Sequence, residues 1–367
     1  MKLSFRQLSN LFKRDKKKMH NTNELIEKTD IAISFNIAKT KNEGEDADPV
    51  FIHKDKLYFL SVCDGMGGAG STTYEIDGVQ KSGAFLSSRL VNKQAENYFL
   101  NLIEKGEPFN ENNLDELRTT LLNQLQLKLS EVKKDGGSKL KSKLLKDLPT
   151  TFSGLFITEE ENKIDVCSIW AGDSRNYLFT ETGGLQQLSV DDLKQKYDPL
   201  ENLSKDSPLD NVVSADGDFK LRLNKITTAS PCILFTATDG CYGYFNTPMQ
   251  FEYAMLQALL DSNNVEEWKQ KLIDVIGSVA GDDYSISLTA IGFKSFQEIK
   301  NHFSQRMQDV YRQYVMDLQK QDEMMSNLIE ERKIIEDDIK KVEIERGEAQ
   351  KKIWEGYKKQ YLEYINS

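Results

Sequence analysis

Between residues 31 and 293 the chain repeats one device that restricts its folding more than any other. A short apolar run ends in an aspartate beside glycine. "KLYFLSVCDGMGG" (56–68) runs into Asp64, "KIDVCSIWAGDSR" (163–175) into Asp173, and "CILFTATDG" (232–240) into Asp239. "SVAGDDYSISL" (278–288) reverses the order, with Asp282 and Asp283 just ahead of the apolar run. A single Asp-Gly is ordinary turn chemistry, because both residues tolerate the dihedrals a turn needs. Repeated at the ends of several β-rich runs, it says that strand ends collect carboxylates.

The runs have the length and composition of strands: 31–38, 56–63, 150–158, 163–171, 175–180, 232–238 and 284–293. Residues 83–106 carry apolar side chains at helical spacing, and 114–132, 250–261 and 265–279 read the same way. Many antiparallel strands with helices grouped between them predict a layered α/β sandwich. Strands of one sheet bring their ends to a common edge, so the aspartates are expected to meet. Clustered carboxylates repel and raise one another's pKa unless a cation neutralises them. An all-oxygen ligand set selects a hard cation, Mg²⁺ or Mn²⁺. Two such ions sharing one aspartate can lower the pKa of a water for attack on phosphorus. Other chemistries are poorly supplied. The three histidines, His20, His53 and His302, offer little to a zinc site or a Ser-His-Asp triad, and no cysteine stands in a Cys-x5-Arg frame. The four cysteines lack CxxC spacing and suit a reducing, cytoplasmic setting as small apolar side chains.

The order of these pieces resembles the metal-dependent type 2C protein serine/threonine phosphatase family (PPM), in its bacterial-like branch. The matching text is "KNEGEDA" (41–47), "VCDGMGG" (62–68), "TTFSG" (150–154), "WAGDSRNYLF" (170–179), "FTATDG" (235–240) and "GDDYS" (281–285). The resemblance spans residues 31–293. It implies an α+β fold, a four-layer α-β-β-α sandwich of two mainly antiparallel sheets flanked by helices. It implies hydrolysis of phosphoserine and phosphothreonine in a phosphorylated protein, by water held between two Mn²⁺ or Mg²⁺ ions. Under it Asp64 bridges both ions, the Gly65 carbonyl binds one through water, Asp239 and Asp282 complete one site, and Glu45 serves the other. Asp46 orients the water, and Asp173 joins Asp239 in a third, weaker site. Lys41 stands where the family usually has a phosphate-gripping arginine, and lysine offers a point charge instead of a fork. Met66 replaces a histidine of many eukaryotic members, and Asp283 replaces the more usual asparagine. The competing expectations are a catalytically inactive phosphatase-fold module that recruits partners, and a hydrolase of small phosphorylated metabolites.

Both ends lie outside the resemblance. Residues 1–30 begin with Phe5, Leu8 and Phe12 at helical spacing, followed by Lys13, Arg14 and Lys16 to Lys18. That pattern suits a flexible tail or weak contact with an anionic membrane surface. Residues 295–367 contain no proline and place Leu318, Met325, Leu328, Ile335, Ile339, Val342 and Ile353 on one heptad frame, interrupted by Arg332 and Arg346. They predict either one long helix with a coiled-coil-like seam or two antiparallel helices, and a route to self-association or a partner protein. A net charge of −10 argues against nucleic-acid binding. No apolar run reaches the length of a membrane span.

Overall fold

The computed structural model describes residues 31–41, 43–76, 78–134, 146–195, 198–202, 207–363 and 365. The basic N-terminal segment lies outside them. Two compact units divide after Val310.

The first unit is built on two five-stranded antiparallel sheets. One sheet takes the order β1 (Ile31–Ile37), β13 (Tyr284–Ile291), β12 (Cys232–Ala237), β9 (Arg175–Thr180), β10 (Gly184–Gln187). The other takes β11 (Arg222–Ala229), β8 (Lys163–Ala171), β7 (Phe152–Glu159), β3 (Leu57–Val62), β2 (Val50–Lys54). A small third sheet joins β4 (Thr73–Ile76) to β5 (Val79–Ser82) and β6 (Lys133–Lys134). Strand β3 shows why the large sheets stack. Its side chains alternate, and both sets are mainly apolar. Tyr58 and Leu60 join Leu155, Ile157 and Val166 from their own sheet and Leu178 and Leu234 from the other. Phe59 points the opposite way and stacks on Phe99 at 3.8 Å, within a cluster that includes Leu117, Leu121 and Phe156.

Phe99 belongs to α1 (Gly83–Lys105), and Leu117 and Leu121 to α2 (Glu111–Glu131). Helix α1 starts where the Ser82 hydroxyl accepts from the Phe85 amide, and α2 starts at a reciprocal Asn110/Asn113 capping box. A short helix α3 (Asp239–Tyr242) leaves β12 directly, and α4 (Pro248–Leu260) and α5 (Val265–Gly277) follow it. On this side Phe251 of α4 packs near Tyr177 and Phe235. Helix α6 (Phe296–Val310) rests on α4, with Phe303 against Phe179 at 5.0 Å and Arg306 paired to Glu252 at 2.7 Å. The result is helix, sheet, sheet, helix: the four-layer sandwich, with an apolar filling between each pair of layers. Burying one Phe or Leu of such a filling stabilises by roughly 1.5–3 kcal/mol.

The second unit is a π-helical turn, Tyr311–Val315, and α7 (Met316–Tyr361), a single 46-residue helix with no buried side chain. It runs through Gly347 and Gly356 unbroken, so among the described residues the antiparallel pair is not formed. Same-helix ion pairs line it, including Arg332–Glu336 at 2.8 Å and Lys341–Asp338 at 3.0 Å.

Candidate active site

Strand register decides which loops meet. Val62 pairs with Ser153, and Phe152 with Ala171, so β3 and β8 finish at the same end of their sheet. In the other sheet Ala237 pairs with both Arg175 and Ile286, and Ile37 with Tyr284. The end of β12, the starts of β9 and β13 and the end of β1 therefore share one edge. Asp64, Asp173, Asp239, Asp282 and the loop holding Glu45 and Asp46 follow directly from these ends. The carboxylates come from both sheets, not from one as the strand pattern alone suggests. The sandwich is what unites them.

Asp64 sits at the centre. Its carbonyl accepts from the Thr150 hydroxyl at 2.6 Å and the Thr151 amide at 2.9 Å, and its amide donates to the Thr151 hydroxyl at 3.1 Å. The "TT" ahead of β7 thus fixes the Asp64 backbone on three sides. Thr151 also shares a hydrogen bond of 2.7 Å with Ser174. Gly172 lies at φ 104°, and a Cβ there would fall 2.8 Å from the Thr151 methyl, so glycine is required twice over. Asp46 is almost fully enclosed, at 1% exposure, and accepts from the Thr238 hydroxyl at 2.9 Å. That hydroxyl also accepts from the Ser285 amide at 2.9 Å, which couples Asp46 to the ends of β12 and β13.

Burial comes first among the causes that raise these carboxyls, and their neighbours add to it. Asp46 is pushed up to about 7. Asp64 and Asp173 stand well above the usual carboxylate range, with the charges of Asp46, Asp239 and Asp173 acting on Asp64, and those of Asp239 and Asp191 on Asp173. Asp239 is raised by burial and by Asp282, and Glu45 by burial with Asp283 and Asp282. The Asp64 carboxyl is hydrogen-bonded to those of Asp46 and Asp239. Among the described residues no group of three or more His, Cys, Asp or Glu is arranged to hold a metal ion. The donor set itself fits a hard divalent cation: oxygen only, anionic and partly desolvated.

Glu45 explains the glycines after Asp64. A Cβ on Gly65 would lie 2.6 Å from the Glu45 carbonyl oxygen, and one on Gly67 would collide with the Glu45 carboxylate. What comes so close to the glycine loop is this neighbouring loop. Glu45 is gripped along its length. Ser82 bonds its carboxylate, Ser88 and Arg89 donate to its carbonyl, and Arg89 also reaches the Gly44 carbonyl at 3.0 Å. Asp282 is exposed, and Lys41 is exposed on the turn after β1 without a hydrogen bond or ion pair to another described residue.

Several of these partners carry no sequence signal. Ser82 reads as a helix cap and Arg89 as one more helical arginine. Deeper support comes from a buried pair, Arg175–Asp191, with bonds of 2.9 and 2.6 Å. The Arg175 guanidinium also lies 4.1 Å from the Tyr242 ring centroid, and the Tyr242 hydroxyl donates to the Asp173 carbonyl at 2.5 Å.

No family model matches the sequence, and no curated protein matches it. Among solved structures, a bacterial serine phosphatase aligns over 71% of this chain and 97% of its own, at a TM-score of 0.50 and 18% identity. The chain has the bacterial serine phosphatase fold. A C. elegans sex-determining protein aligns with that same fold here over 81% of this chain and 74% of its own, at a TM-score of 0.55 and 13% identity. The serine/threonine phosphatase Stp1 from Staphylococcus aureus covers 71% and 94% at 16% identity, with a TM-score of 0.49. At these identities the likeness is one of fold.

Proposed function

We propose that the chain is a metal-dependent type 2C phosphatase that hydrolyses phosphoserine and phosphothreonine in proteins. The observation that carries this reading is the meeting of five carboxylate-bearing segments, from two sheets, at one end of a phosphatase fold. Glu45, Asp64, the Gly65 carbonyl, Asp239 and Asp282 would hold two Mn²⁺ or Mg²⁺ ions, and Asp173 with Asp239 a third, weaker one. Bound, these ions supply Lewis-acid chemistry, lowering the pKa of a water and neutralising charge on the phosphoryl group. Asp46 then serves as the group that orients that water, its carboxylate held in place by the Thr238 hydroxyl. Lys41 presents a cation to the substrate phosphate at the rim. Without a histidine at Met66, the leaving alkoxide takes its proton from water. Water attacks phosphorus directly in this reading, without a phosphoenzyme, and no cysteine stands in the Cys-x5-Arg frame that a thiol nucleophile needs.

The residues after Val310 supply no catalytic group in this reading. They offer a surface for a partner protein or a second copy of the chain. No helix among the described residues is long and apolar enough to cross a membrane, and the four free cysteines suit a reducing, cytoplasmic setting. The exposed apolar side chains of α7 favour one alternative, a catalytically weak or inactive module of phosphatase fold that recruits partners through its helical tail. Turnover of p-nitrophenyl phosphate with Mn²⁺, abolished by chelator, separates the two. A phosphopeptide cleaved in preference to small phosphorylated metabolites then fixes the substrate class. A protein that neither binds Mn²⁺ nor turns over would refute the phosphatase reading.

A further inference from the structure

Asp283 stands directly after Asp282 on the turn into β13, and both of its oxygens are committed. Oδ1 accepts from the Lys39 amide at 2.8 Å and Oδ2 from the Glu45 amide at 2.6 Å. These amides are the two ends of the loop that bears Lys41. One carboxylate therefore closes the loop into a ring and sets where Glu45 begins. Room for it is reserved, since a Cβ on Gly44 would lie 2.7 Å from the Ala38 side chain and 3.2 Å from Asp283 Oδ2. From the opposite side, Arg89 holds the Gly44 and Glu45 carbonyls. The peptide leading into Glu45 is thus fixed through its amide by β13 and through its carbonyls by α1.

The chemistry explains the residue type. A carboxylate offers two acceptor oxygens, whereas an asparagine offers one acceptor and an NH₂ that would confront the second amide. We propose that Asp283 is a positioning residue that fixes the Lys39–Glu45 loop, and through it the Glu45 carboxylate and the Lys41 cation. The proposal rests on the phosphatase reading above for what the loop positions. Asp283 touches neither substrate nor ion in this role. A network of this kind is worth about 10- to 100-fold in metal affinity where it has been removed elsewhere.

The test uses the full chain and two variants. Asp283→Asn keeps the shape and loses one acceptor, and Asp283→Glu keeps the charge and moves it by one methylene. Three quantities are measured: amide hydrogen exchange at Lys39 and Glu45, Mn²⁺ affinity by calorimetry, and the metal-free melting temperature. Both variants should exchange faster at Lys39 and Glu45 and bind Mn²⁺ about 10- to 100-fold more weakly, with metal-free folding retained. Wild-type affinity in Asp283→Glu beside weak binding in Asp283→Asn would assign the effect to charge and overturn the proposal. Faster exchange with unchanged Mn²⁺ affinity in both variants, or loss of folding in both, would make Asp283 structural only and overturn it as well. A wild-type chain that takes up no Mn²⁺ would refute the site reading itself, and this proposal with it.

Discussion

Asp64 and Asp173 are neighbours in charge but not in connection. The Asp64 carboxyl is bonded to two others, and its backbone is held three times by Thr150 and Thr151. Asp173 hangs from the β8–β9 turn, fixed through its carbonyl by Tyr242. Asp64→Ala is therefore expected to abolish turnover and remove both tight Mn²⁺ sites in a calorimetric titration. Asp173→Ala should keep both and change only the response at high metal concentration. Lys41 has no partner to lose among the described residues, so Lys41→Ala should fold normally. If it meets the phosphate, steady-state kinetics should show a raised KM with kcat little changed, and Lys41→Arg should be tolerated or improved. Identical KM in the alanine variant would return Lys41 to the ordinary surface. The carboxylates themselves were legible in the sequence, because an aspartate that ends an apolar run has no packing reason to be there. Asp283 was legible only as extra negative charge. Its work depends on a loop more than two hundred residues away, which no local pattern reveals.

At the scale of elements, the strands with apolar residues on both faces could be read almost to the residue. β8 and β9 begin and end where their sequences predict. The strands left unread are short or half-exposed: β2, β10, β11 and the three of the small sheet. In β11 the polar residues alternate with half-buried ones, and its partner β8 supplies the pairing that its own sequence does not announce. Helix α6 shows how tertiary packing divides one helical texture. Its Ile299, Phe303 and Val310 are buried, while the exposed Met325, Leu328, Ile335 and Ile339 of α7 cover nothing among the described residues. A chain ended after Val315, the last buried side chain before α7, should therefore keep p-nitrophenyl phosphate hydrolysis, Mn²⁺ binding and its melting temperature. Any self-association seen by light scattering should disappear. A chain ended at Phe293 would lose the Phe303–Phe179 contact and the Arg306–Glu252 pair, and should be several degrees less stable.

For the whole molecule, the enclosed carboxyls link stability to pH. Their folded pKa values are raised, so the folded state keeps protons that an unfolded chain releases above about pH 4. The stabilisation is complete below that pH and is lost as pH rises through the folded values, about 7 for Asp46. Metal-free protein should accordingly melt several degrees lower at pH 8 than at pH 5.5, and excess Mn²⁺ should remove most of that difference by replacing protons with a cation. A metal-free melt that rises with pH would contradict the packing of the cluster. The two-sheet origin of the site has a kinetic consequence too. Ile31 pairs with Ala290, and the carboxylates between them gather only when both sheets have docked. Such distant pairings form late, and an ion that recognises only the finished edge cannot help the chain reach it. Mn²⁺ is expected to leave the refolding rate unchanged and to slow unfolding by the full amount of its stabilisation, about 2.7 kcal/mol per site at a hundredfold excess over Kd. In stopped-flow experiments the metal would act as a latch, holding shut a door it does nothing to close.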